Sequence, residues 1–141
     1  MESDKYSSAI IPCALVVEDN NVLRLIAARA LQKLGYSVSC AGDGMAAVTL
    51  VRKQSFALIL MDVQMPVMDG LESTRQIRNI EKFTGQCATI IGVSAASSEH
   101  LCISAGMDAF LPKPLKIDSL TRCLEVKGLS AHSESGRRQI G

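Results

Sequence analysis

The sequence predicts an α/β fold built on a doubly wound parallel sheet, and three observations carry that reading. Apolar runs such as Leu15-Val16-Val17 and Leu58-Ile59-Leu60-Met61 show no polar–apolar alternation, the pattern of strands buried on both faces. Segments of helical periodicity separate these runs, and strands alternating with helices of that length imply parallel βαβ crossovers. Charged or hydroxyl residues then close the strands: Glu18-Asp19, Asp62, Ser94 and Lys113-Pro114. Open α/β sheets place their chemistry outside the carboxyl ends of the strands, so these groups converge on one edge.

Taken in order, residues 10–17 form the first strand, and Asn20 and Asn21 offer caps for a helix over about 21–34. Leu23, Ile26, Ala27, Ala30, Leu31 and Leu34 recur there at helical spacing, and Gly35 stands where a left-handed residue ends a helix. Tyr36 to Cys40 reads as a short second strand. Gly42-Asp43-Gly44 turns the chain into a helix through about Lys53, and strand three covers Ala57 to Met61. Asp69 is a plausible N-cap for a helix to about Ile80, ended by the polar stretch Glu81 to Gln86. Strand four, Thr89 to Val93, precedes Ser94, the segment Ala95-Ala96-Ser97-Ser98 and a short helix to about Ala105, where Gly106 marks a stop. Ala109-Phe110-Leu111 is a brief last strand, and Lys116 to Val126 makes a closing helix. Beyond Gly128 the chain is rich in Ser and Gly and has no periodicity, so residues 127–141 are expected to be a disordered tail and residues 1–11 a polar N-terminal segment.

Composition narrows the function classes. The 141 residues, 48% apolar, fit one domain with an ordinary core. The formal charge is +1, without the clustered basic face that nucleic acid requires. Cys13, Cys40, Cys87, Cys102 and Cys123 form no C-x-x-C pair, and reduced, mostly buried thiols are expected. The polar start has no apolar core, and no run approaches the ~18 apolar residues of a membrane span. The expected compartment is the cytoplasm, with the nucleus reachable by diffusion.

The sequence Met61-Asp62-Val63-Gln64-Met65-Pro66-Val67-Met68-Asp69-Gly70, with Glu18-Asp19 before it and Ser94 and Lys113-Pro114 after it, resembles the receiver domain of response regulators and hybrid histidine kinases. The resemblance covers about residues 12–126. It implies a flavodoxin-like sheet of strand order 2-1-3-4-5, with Asp62 as phosphoacceptor and Lys113 as the ammonium that pairs with a phosphoryl oxygen. It further implies Ser94 as the sensing hydroxyl, Phe110 as the aromatic switch residue and a cis Lys113–Pro114 peptide. Magnesium would be held by Glu18, Asp19, Asp62 and the main-chain carbonyl of Gln64. One departure is plain: eighteen residues separate Ser94 from Lys113, about one helical turn fewer than the family usually has, which implies a shortened fourth helix.

The chemistry fits the residue types. A carboxylate attacks a phosphodonor only when the developing charge is neutralised, and Mg²⁺, which takes hard oxygen ligands and keeps several waters, does so with two or three carboxylates. The implied function is a phosphorelay receiver that takes a phosphoryl group from a histidine kinase or histidine phosphotransfer protein and signals by protein contact. It is expected to be a monomer, and either a stand-alone receiver or the excised receiver of a hybrid kinase, with the tail and the methionine start leaning toward the former. Helix one, through Leu23, Arg24 and Ala27, is the expected contact. An aspartyl-nucleophile phosphatase is the rival enzyme class, but it often needs an acid two positions after the nucleophile, where Gln64 stands. A degenerate receiver acting only as a binding module is the remaining alternative, against which the intact acids argue. A flavin-binding domain is disfavoured because Glu18-Asp19 would repel a phosphate.

Overall fold

The computed structural model describes residues 10–65, 68–96 and 98–128. The expected tail, from residue 129 onward, and residues 1–9 of the N-terminal segment lie outside the described residues. Among the described residues five strands and five helices alternate: β1 (Cys13–Val17), α1 (Asn21–Lys33), β2 (Ser37–Ala41), α2 (Gly44–Lys53), β3 (Leu58–Asp62), α3 (Gly70–Thr84), β4 (Thr89–Ser94), α4 (Glu99–Ala105), β5 (Ala109–Pro112) and α5 (Ile117–Val126). All pairings are parallel, and the strand order is 2-1-3-4-5.

The sheet is covered on both faces, so the strands need apolar side chains in both directions. Leu15, Val17, Ile59, Met61 and Ile90 pack with Ala47, Val48, Ile77 and Cys102, placing α2, α3 and α4 on one face. Ala14, Val16, Leu58, Leu60, Ile91 and Val93 pack with Ala27, Ala28, Leu31, Leu120 and Leu124, placing α1 and α5 on the other. Every residue of β3 is buried. Successive side chains of a strand alternate faces, so the unbroken apolar run in the sequence is the direct result of this double cover.

Local chemistry sets the helix starts. Asn20 accepts the Leu23 N–H at 2.9 Å, Asp43 the Ala46 N–H at 2.8 Å and Asp69 the Glu72 N–H at 2.9 Å, each satisfying an amide that has no partner within its helix. The polar stretch from Glu81 does not end α3, which continues to Thr84 and stops at Gly85 with φ of 78°. Glu81 is not a solvated residue but a buried anchor. Its carboxylate accepts the Ala88 N–H at 2.7 Å and pairs with Arg78 at 2.8 Å, joining the helix to the start of β4. α4 has seven residues, the fewest of the five helices, as the spacing implied. The thiols are free, but only Cys102 is buried; Cys40 and Cys87 are exposed, because β2 lies at the sheet edge and Cys87 in the connection ahead of β4.

Gly70 shows how tightly the loop after β3 is folded against α3. Its N–H donates to the Val63 carbonyl at 2.8 Å, and a Cβ at this position would collide with the Asp62 carbonyl oxygen and stand 2.9 Å from Met61 Cγ and Val63 Cα. Backbone cannot yield as a flexible side chain can. Gly70→Ala is therefore expected to cost about 3 kcal/mol in urea unfolding. Gly42→Ala, whose Cβ would meet nothing closer than 3.6 Å, is expected to stay within about 0.5 kcal/mol.

Candidate functional site

The period of two along each strand decides what meets at the carboxyl edge. Ala14 and Val16 face the α1 and α5 side, and so does Glu18, two residues on; Leu58 and Leu60 lead in the same way to Asp62, and Ala109 and Leu111 to Lys113. β1 and β5 flank β3 and β4, so a long lysine side chain reaches both acids.

Asp62, 2% exposed, is the buried centre. Its Oδ1 accepts the Gln64 N–H at 3.2 Å and lies 3.2 Å from Lys113 Nζ; Oδ2 is buried and has no hydrogen-bond partner among the described residues. Lys113 also approaches Glu18 Oε1 at 3.3 Å, and Glu18 Oε2 accepts the Asn20 N–H at 3.0 Å. Carboxylate oxygens of Glu18, Asp19 and Asp62 all lie within 4.8 Å of one another, with Asp19 exposed. These are hard oxygen donors that suit Mg²⁺, and the orphaned Oδ2 is a buried acceptor a cation would satisfy.

Burial pushes the Glu18 carboxyl above its ordinary value, aided by the neighbouring Asp62 charge and opposed by the Asn20 amide and Lys113. For Lys113 burial acts downward, but the hydrogen bond and charge of Asp62, together with Glu18, outweigh it and leave the ammonium raised.

Ser94, fully buried at the end of β4, accepts the Ala96 N–H on its hydroxyl at 3.1 Å and the Lys113 N–H on its carbonyl at 2.9 Å. Phe110 pairs in register with Gly92 and packs on the α2, α3 and α4 core. Ser94 lies two residues beyond Gly92, so Ser94 and Phe110 share the face opposite Asp62 and Lys113. The Lys113–Pro114 peptide is cis.

On α1 the expectation needs correction. Ala27 is 5% exposed and packs inward, and Arg24 folds back to donate from Nη1 to the Glu18 carbonyl at 2.8 Å. The outward apolar residues are Val22, Leu23, Leu25 and Ile26. A groove of about 490 Å³, lined by Leu23, Ile26, Val93, Pro114 and Leu115, opens onto Glu18, Asp62 and Lys113. Sequence reasoning missed the inward role of Arg24. Its signal was a cation in the first turn of a helix, where the macrodipole disfavours positive charge unless a specific acceptor holds it.

Comparison with known proteins gives consistent findings. The family described as response regulator receiver domain matches residues 14–125. The hybrid signal transduction protein dokA of Dictyostelium discoideum is 39% identical over 110 residues, which cover 78% of this chain and 6% of that protein. Histidine kinase 5 of Arabidopsis thaliana is 31% identical over 81% of this chain and 15% of its own length, so the chain spans a small part of these curated relatives. The receiver domain of the Arabidopsis thaliana histidine kinase CKI1, complexed with Mg²⁺, is 39% identical with a TM-score of 0.71, covering 80% of this chain and 91% of that one. The Saccharomyces cerevisiae co-crystal of the histidine phosphotransfer protein Ypd1 with the receiver domain of Ssk1 matches with a TM-score of 0.76 at 26% identity, over 94% and 97% of the two chains. Among the described residues no helix is long and apolar enough to cross a membrane.

The raised Glu18 carboxyl has a measurable consequence for stability. Its folded value lies above the unfolded 4.5, so ionised Glu18 costs the fold stability above the folded value, and the cost is absent below 4.5, where both states are protonated. In divalent-free buffer at neutral pH, Glu18→Gln is expected to unfold at higher urea than wild type. That difference closes as the pH falls below 4.5, and a lower midpoint at neutral pH would contradict it.

Proposed function

The chain belongs to the response regulator receiver domain family, and from that premise we propose that Asp62 accepts a phosphoryl group from a phosphohistidine in a magnesium-dependent step of a phosphorelay. One observation carries the reading: Asp62 is a buried strand-end carboxylate with one oxygen unpartnered, beside two further carboxylates and an ammonium.

In the step proposed, an Asp62 carboxylate oxygen attacks phosphorus in line, a P–O bond forms as the P–N bond breaks, and the electron pair stays with the imidazole leaving group. Lys113 Nζ, already 3.2 Å from Asp62, takes up charge on a phosphoryl oxygen. Glu18, Asp19, Asp62 and the Gln64 carbonyl would hold Mg²⁺, which when bound neutralises charge on the transferring group. The Mg²⁺ complex of the related CKI1 receiver supports the ion assignment. Ser94 and Phe110 are assigned to the response: the hydroxyl drawn toward the phosphoryl group makes room for the ring, a shift between two packings.

The groove beside α1 suits a histidine-bearing helix. Its apolar wall of Leu23, Ile26 and Leu115 supplies contact area, and its floor is the acceptor itself. Ypd1 with the Ssk1 receiver is the related case of a phosphotransfer protein as partner. The protein is proposed to act as a monomer, because α4 is short and offers little area for a second copy.

Incubation with acetyl phosphate and magnesium should give one phosphoryl group per chain by intact mass. Asp62→Asn should lower that labelling at least ~100-fold, and labelling at wild-type stoichiometry would overturn the assignment. Asp19→Ala should weaken magnesium binding more than Glu18→Ala, because Glu18 is already held by Lys113 and Asn20 whereas Asp19 is exposed. Undiminished labelling in excess chelator would rule out the metal.

A further inference from the structure

We propose that Arg24 is a positioning residue for the acidic pair: by holding the Glu18 main-chain carbonyl it keeps Glu18 and Asp19 converged with Asp62 for a divalent cation. The inference rests on the metal-dependent reading above and adds a residue that does not touch the ion.

Glu18 is fixed from several sides. Its N–H donates to the Ala41 carbonyl at 3.1 Å, and its own carbonyl accepts Arg24 Nη1 at 2.8 Å. Its carboxylate is held by the Asn20 N–H at 3.0 Å and by Lys113 at 3.3 Å. Arg24 is the tie that comes from α1, and its Nη2 is anchored in turn on Asn21 Oδ1. The guanidinium also lies over the connection between β2 and α2, since a Cβ on Gly42 would come 3.6 Å from Nη1. One half-buried fork thus joins the loop after β1, the loop after β2 and the start of α1.

The choice of partners separates position from charge. Arg24 binds the backbone of one member of the acidic cluster, yet among the described residues its hydrogen bonds go to neutral oxygens, the Glu18 carbonyl and Asn21 Oδ1. A cation close to a metal site repels the metal by Coulomb's law, so charge alone makes Arg24 unfavourable to binding. If holding the loop is its role, removing it must weaken metal affinity despite the relief of repulsion. The two accounts differ in sign.

Magnesium chloride titrated into the full chain by calorimetry decides between them. Arg24→Met keeps the stem but loses charge and donors, and is expected to weaken Mg²⁺ about tenfold, the scale seen when outer partners of metal ligands are removed. Arg24→Lys keeps the charge but replaces a fork with one ammonium, and is expected to bind more weakly than wild type, though less so than Arg24→Met. Because its net charge is unchanged, any weakening there reports geometry, and it serves alone should the methionine variant not fold. Hydrogen exchange without metal should show the Asn20 amide losing protection while the Ile91 amide of β4 keeps it. Affinity equal to or tighter than wild type in either folded variant overturns the proposal. Wild-type protein that binds no magnesium overturns the metal reading first, and this inference with it.

Discussion

A single ammonium held between two carboxylates at a buried sheet edge is the constraint on which the site depends. Carboxylates within 4.8 Å of one another repel, and water that would screen them is largely excluded around Asp62. Lys113 relieves this only because β5 runs beside β4 and delivers it to both Asp62 and Glu18. Even so the balance is incomplete: Glu18 keeps a raised proton affinity and Asp62 Oδ2 keeps no partner. Residual charge and an orphaned buried oxygen of this kind are a recurrent property of functional sites and accord with the proposed cation.

The alternation of faces along the strands divides the labour. Glu18, Asp62 and Lys113 stand on the side covered by α1 and α5, next to the groove, whereas Ser94 and Phe110 face the side covered by α4. Under the proposed function, arrival and response fall on opposite faces of one sheet. The two sides meet at the end of β4, where Val93 accepts the Val63 N–H and Ser94 the Lys113 N–H. Both loops that carry the site are thereby hydrogen-bonded to one strand end.

Much of this was legible in the sequence because strand burial leaves a plain signature. The unbroken run Leu58 to Met61 fixed β3, and the acid placed after it fixed where the edge would be. The caps Asn20 and Asp69 and the stops Gly35 and Gly106 are likewise local, being matters of side-chain reach and of a positive φ. What escaped is non-local. Glu81 looked like the end of a helix because its partners, Arg78 and the Ala88 amide, are brought to it only by packing. Ala27 looked like part of an outward face because helical spacing does not say which apolar residues of α1 turn toward the sheet. The exposure of Val22, Leu23, Leu25 and Ile26 shows an apolar surface on both sides of the buried stripe. Spacing alone could not convey that Arg24 points back to Glu18.

The site draws Glu18 from near the beginning of the folded segment, Asp62 from its middle and Lys113 from near its end. No hairpin, single crossover or half-sheet contains all three. Parallel strands must pair across long stretches of chain, which makes their assembly slow. A chain in which the last strand has not docked therefore lacks the Lys113 ammonium beside Asp62. Under the proposed function the arrangement acts as a coincidence detector for its own completeness: a molecule able to react is one whose sheet is already closed from β1 to β5.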